Sequence, residues 1–326
     1  MMCCRQVGLA IALLACVSCA SLNAPVNTEP LSADCPAVMQ VSAAKTRLPV
    51  AEVISDPALG GVYSRSSLLV ANAYGLVDHL RALEALRAKM RAAPGDDRLR
   101  LDLIYLERRI DTQMDIAPME LEALSDSVDC EGYQVSKNYS RLAKVNQSQD
   151  EKLTTAAIVT GALSSALVAA ILVSEDKALK EGDAKDWIGV AGGAVATYLA
   201  IRARQVNHTV ILSHKRNLVQ AVWENDNSAE TFPDAPWYLL TEPGVIDADN
   251  LSLRQSVVQD WLDSPTMLGN EEKLARLSVL LEATGTYDET MLLLRSEMLE
   301  GIETAIDSLT LGILRLHHEM AIGLGD

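Results

Sequence analysis

Proton transfer, metal binding and covalent catalysis need particular side chains, and this chain of 326 residues offers 5 His, 6 Cys and 44 Asp plus Glu. The histidines are His79, His208, His214, His317 and His318, and none stands in an HExxH pair that would turn two imidazoles to one helix face for zinc. His317-His318-Glu319 falls near the end of the chain's last helical pattern. Neighbouring positions there point about 100° apart, so the two rings do not chelate together. The carboxylates fall on the polar faces of amphipathic patterns, where they are ordinarily solvated. The chain has no phosphate-binding Gly-rich loop followed by Lys, no dinucleotide fingerprint and no Gly-x-Ser-x-Gly elbow. The expectation is a protein that is not an enzyme, with no catalytic residue, metal site or cofactor. A net charge of −16 sets nucleic acid aside as a partner, because a phosphate backbone is bound through Lys and Arg excess.

The cysteines carry the one covalent chemistry that the spacing suggests. Cys16-x-x-Cys19 has redox or zinc spacing, but it lies in a segment with another purpose. Residues 1–22 read MMCCRQVGLAIALLACVSCASL: one basic residue, Arg5, then an uncharged run from Val7 to Val17, then small residues. That is the layout of a secretory signal, and the run is short for a bilayer-spanning helix. Leu13-Leu14-Ala15-Cys16 resembles the lipobox of bacterial lipoproteins, in which the Cys becomes the lipidated first residue of the mature chain. Val17-Ser18-Cys19 is a second candidate, with Cys16 where the pattern usually has an aliphatic residue. The resemblance covers the signal alone, residues 1–18. It implies attachment to membrane lipid through Cys16 or Cys19. Neither Val17 nor Ala20 is the Asp that commonly marks inner-membrane retention, so the resemblance points to the outer membrane, facing the periplasm. With Cys19 as anchor the mature chain keeps two thiols, Cys35 and Cys130, which an oxidising compartment permits to pair; with Cys16 as anchor, Cys19 is left over.

Composition predicts the elements that must hold these residues. Of all residues 49% are apolar but only 4% aromatic, with a single Phe, so Leu, Ala, Val and Ile carry the core and favour helix. The fold expected is all-α: long antiparallel helices, partly coiled-coil-like, around a central apolar hairpin. Residues 19–61, with five prolines, read as an extended tether or, nearly as well, as a loop wrapped on the body. Residues 62–225 read as a long-helix body. Leu76, Leu80, Leu83 and Met90 follow helical spacing, Pro94-Gly95-Asp96-Asp97 makes a turn, and Leu99, Leu103, Leu106, Ile110 and Met114 repeat the spacing. Pro118 kinks or restarts the chain. Residues 226–248 hold Pro233, Pro236 and Pro243 with Phe232, Trp237 and Tyr238, and read as an irregular loop whose rings either dock a partner or fill gaps between helices. The C-terminal region, 249–326, reads as three helices over 249–263, 270–283 and 287–322.

The hairpin at 154–201 is the expected seat of function. Thr154 to Ser174 and Trp187 to Ile201 are uncharged, separated by a polar tip, with arms expected over about 134–174 and 185–225. Gly161, Ser165 and Ala169 recur four apart on the first arm; Gly189 with Gly193, and Gly192 with Ala196, do so on the second. Small residues at that spacing let two helix backbones approach closely. Three readings stand: burial or self-association, conditional insertion into a membrane as in helical pore-forming toxins (similar in coarse layout only), and a constitutive membrane span. The function expected is a structural or interaction role in the cell envelope, self-associating or docking to an envelope protein. A protein that permeabilises or remodels membranes is the alternative.

Overall fold

A computed structural model describes residues 31–32, 35, 47–173, 194–201, 208–245, 251–264 and 272–322. The chain is all-α, with one small sheet. In order, the elements are β1 (Leu31–Ser32), α1 (Val50–Ile54), α2 (Arg65–Ala73), α3 (Val77–Ala92), α4 (Asp97–Met114), α5 (Ile116–Val173), β2 (Val210–Ser213), α6 (Leu218–Glu224), α7 (Asp234–Thr241), α8 (Leu253–Asp263), α9 (Glu272–Leu281), β3 (Thr284–Tyr287) and α10 (Glu289–Ile322). Residues 194–201 are also helical. The strands pair in the order β1–β2–β3. Buried and less buried positions alternate along β2 and β3, as a pleated strand requires.

The chain divides into two compact units. The first comprises Lys137–Leu212 and Thr286–Leu292 with Leu31; the second comprises Ser32–Ser136, Ser213–Gly285 and Leu293–Asp326. Helices α5 and α10 each contribute to both.

In the second unit, local sequence sets where helices start. Ser64 caps α2 by accepting the Ser67 N–H, and Asp96 caps α4 by accepting from Arg98 and Leu99. Ser252 and Gln255 form a capping box at α8. Helices α3 and α4 make the expected hairpin, packing Leu80 and Leu83 of one and Leu103, Ile110 and Met114 of the other out of solvent. Pro118 sits in the first turn of α5, where an N–H has no intrahelical partner to lose, so it restarts the chain without breaking it. Two glycines are fixed by their surroundings. Gly244 has φ +79°, a left-handed conformation. At Gly301 an added Cβ would lie 2.9 Å from Trp261 Nε1, so α10 approaches the α8 tryptophan more closely than any side chain permits.

Three expectations are corrected. Residues 47–61 belong to the body and are not an extended tether. Val53 and Leu59 are fully buried, Arg81 Nε donates to Asp56 Oδ2 at 2.6 Å, and Leu48 exchanges hydrogen bonds with the Asn72 side chain. The prolines limit helix length there, but the apolar residues between them still find a core. Residues 226–248 contain a regular helix, α7, because Pro233 and Pro236 fall at its start, where proline is tolerated. The second hairpin arm does not run as helix to 225: residues 208–209 are non-helical and 210–213 form β2, with β-branched Val210 and Ile211. The other helices fall within a few residues of expectation, at 253–263, 272–281 and 289–322.

Candidate functional site

The hairpin positions fall in the first unit. Helix α5 carries Gly161, Ser165 and Ala169, and residues 194–201 carry Ala196. A Cβ built on Gly161 would lie 3.9 Å from the Cβ of Ala196, so two of the small residues singled out by spacing do meet across the helices. Ser165 donates its hydroxyl to the Gly161 carbonyl at 2.8 Å, satisfying itself within the helix. Cys16, Cys19, Gly189, Gly192, Gly193 and the Ala169 side chain lie outside the described residues.

Around this contact the larger side chains face solvent. Ile158 is 67% exposed and Leu163 66%, with Val159, Tyr198 and Ile201 also exposed, while Ala157 is buried. No helix among the described residues is long and apolar enough to cross a membrane. The first unit's buried groups lie elsewhere: Leu142, Val210, Leu212, Tyr287 and Leu292, with buried Asn146 accepting the His208 N–H at 3.0 Å.

The second unit holds the disulfide that the cysteine count allowed and an ion cluster that spacing did not reveal. Cys35 and Cys130 are joined by a disulfide, with Cα atoms 5.7 Å apart. Beside Cys130, Glu131 is buried against Arg295 of α10 and His214 after β2. Arg295 donates Nε and Nη2 to Glu131 Oε1, Nη2 also to Asn217 Oδ1 and Nη1 to the Leu280 carbonyl; the guanidinium is 0% exposed. His214 Nδ1 stands 3.3 Å from Glu131 Oε1. Burial alone would raise the Glu131 pKa. The Arg295 charge and the His214 hydrogen bond outweigh it and hold the carboxyl at about 2. Burial, chiefly, pushes the His214 pKa down. Asn217 also caps α6 and donates to the Leu280 carbonyl at 2.8 Å, so one side chain joins α6, α9 and α10. A carboxylate beside an imidazole is the orienting half of a catalytic triad. Here it is shared with a guanidinium and sealed from solvent, an arrangement suited to locking helices.

This lock was legible in part. Glu131 falls on the same stripe as Leu124, Val128 and Val135, and Arg295 on that of Leu292, Leu299 and Ile302. A charge on a buried stripe is the signal, and assigning the carboxylates wholesale to solvated faces passed over it.

A cleft of about 190 Å³ also lies in the second unit, with Arg87, Glu107, Asp111 and His317 over Leu83 and Ile110. Among the described residues its lining has no hydroxyl or thiol side chain. Arg87 is committed to Glu84, to the Met320 carbonyl and, at 3.5 Å, to Glu107; Tyr63 donates to the same Glu84 oxygen. Among the described residues no group of three or more His, Cys, Asp or Glu is arranged to hold a metal ion.

Trp237 and Tyr238 stand on helix α7 and not on an irregular loop, with Phe232 just before it. Phe232 is 1% exposed with its ring 5.2 Å from Trp237, and Asn227 brackets its backbone with two 2.8 Å hydrogen bonds. Tyr238 accepts from Asn72 and lies under the Arg47 guanidinium, 4.6 Å from the ring centroid, while Arg47 is paired with Asp234. The Phe232 ring is buried, while Trp237 and Tyr238 are half-buried against their neighbours.

Comparison with known protein families, with curated proteins and with solved structures yields no match to this chain.

Proposed function

We propose that this protein is a lipid-anchored component of a bacterial cell envelope, not an enzyme, whose apolar hairpin faces associate with copies of itself or with an envelope protein. The observation that carries the reading is the Cys35–Cys130 disulfide, a bond that persists in oxidising compartments and is rare in reducing ones. It accounts for two of the six cysteines; the other four, Cys3, Cys4, Cys16 and Cys19, all fall in the first 19 residues. With Cys19 as the lipidated residue, every thiol of the mature chain has an assignment, and parity favours it over Cys16. The outer membrane, facing the periplasm, is the location that accords with the residues after either cysteine.

The exposed Ile158, Val159, Leu163, Tyr198 and Ile201 support the interaction role, since large apolar groups clustered in solvent call for a partner. Weak apolarity of the described helices favours protein over lipid as that partner, ahead of membrane insertion. Metabolic labelling with a palmitate analogue tests the anchor. Label retained in Cys16→Ala and lost in Cys19→Ala is the expected result; label retained in both single variants and in the double variant overturns lipidation. For the hairpin, a chain lacking residues 1–19 is expected to self-associate without detergent and to leave liposome dye contained. Dye release would establish the insertion reading instead.

A further inference from the structure

The outer face of α4, in the second unit, is apolar at its centre and oppositely charged at its ends. Leu103, Ile110 and Met114 turn inward and are buried; on the other side Leu101 is 67%, Ile104 50% and Tyr105 73% exposed. Asp97 precedes this patch and Arg108 follows it, both exposed, so that Asp97, Leu101, Ile104 and Arg108 recur at spacings of four, three and four along one stripe. That spacing is the seam of paired helices.

We propose that this stripe is a contact between two copies of the chain, with the two α4 helices laid antiparallel. In that orientation Leu101 of one copy meets Ile104 of the other in two central layers, and Asp97 meets Arg108 at both ends. Parallel pairing would instead set Asp97 against Asp97 and Arg108 against Arg108. The stripe is self-complementary in one direction only. Antiparallel packing also sets the positive N-terminal end of each helix dipole beside the negative C-terminal end of the other. A lipid surface fits less well. Helix α4 carries four arginines and four acids, whereas helices that lie on anionic bilayers carry a basic excess on the polar face.

The test uses the full chain in a mild non-ionic detergent. Arg108→Lys places an amine at the end of the seam, and a zero-length carbodiimide then joins it to any carboxylate in contact. Within one copy Asp97 and position 108 are 11 residues apart on a helix, roughly 16 Å, too far for that bond. A cross-linked peptide joining Asp97 to the new amine at position 108, found by mass spectrometry in a covalent dimer, therefore reports the antiparallel pair whatever the hairpin does. Asp97→Arg or Arg108→Asp alone is expected to weaken the contact about tenfold in sedimentation, through like charges at both ends. Mixing the two single variants is expected to restore it, since each end then pairs opposite charges. Leu101→Glu, added to Arg108→Lys, is expected to abolish the cross-link. Absence of the cross-link from Arg108→Lys, or no restoration on mixing, overturns the proposal. So does a Leu101→Glu chain that loses vesicle binding with its sedimentation unchanged, because lipid then covers the face.

Discussion

Two stretches of one helix obey different rules. Between Leu121 and Val135, α5 buries Leu121, Leu124, Val128, Glu131 and Val135 on a single narrow stripe, and the charge on that stripe is matched by Arg295. Between Ala157 and Leu163 the same helix buries an alanine and leaves Ile158, Val159 and Leu163 in solvent. The first stretch is built from bulk and a matched ion pair, the second from small residues that let backbones meet, as at Gly161 and Ala196. Large apolar groups turned outward and small ones inward invert the usual arrangement of a core. The difference separates a stretch that stabilises its own unit from one that leaves its larger apolar groups in solvent.

Each half of this contrast is open to attack, from the largest expected effect to the smallest. The disulfide closes a loop of 95 residues, so Cys35→Ala with Cys130→Ala is expected to cost roughly 4–5 kcal/mol in the chain-entropy model, read by urea denaturation. Arg295→Ala leaves Glu131 charged and buried without its counter-ion, and about 3–5 kcal/mol should be lost. Replacing Glu131, His214 and Arg295 together by apolar residues of similar size should recover most of that; no recovery would mean the lock does more than neutralise itself. Acid probes the same lock. Both folded-state pKa values lie below their ordinary ones, so the unfolded chain binds more protons in the acid range and stability falls as pH drops. The His214 contribution is lost below its ordinary value near 6.5, and the Glu131 contribution from near 4.5 down to about 2. Thermal unfolding between pH 8 and pH 2 should follow that course, and Glu131→Gln should flatten its lower part. Gly301→Ala must displace Trp261 and is expected to cost about 1–3 kcal/mol. At the other extreme, Ile158→Ala or Leu163→Ala should change stability by less than about 0.5 kcal/mol yet reduce self-association in sedimentation. A large stability loss there would erase the contrast.

What sequence could reveal followed the same line. Leucine stripes at helical period placed α3, α4 and the C-terminal helices within a few residues, because each stripe faces one core and the period reports it directly. The strands escaped because four residues of alternation, as in Thr284–Tyr287, are too short to stand out against helix. For residues 47–61, proline content reports what a segment cannot form and is silent on where it packs, so tether and wrapped loop look alike in sequence. The ion lock escaped because its outermost members, Glu131 and Arg295, are 164 positions apart, and they meet His214 and Asn217 only when the separate elements are assembled. Gly161 and Ala196 stand out in sequence only through small-residue spacing within their own arms, and that these two face each other is given by the assembled structure.

The Cys35–Cys130 bond also has a mechanical consequence. Under the proposed anchorage at Cys19, twelve residues separate the lipid from Leu31, where β1 joins the sheet, a span of at most about 43 Å when fully stretched. Four residues after Leu31 the Cys35–Cys130 bond fastens the same segment covalently to α5, so a pull from the membrane is borne by a covalent link as well as by strand hydrogen bonds. Reduction would shift that load onto the strand's hydrogen bonds.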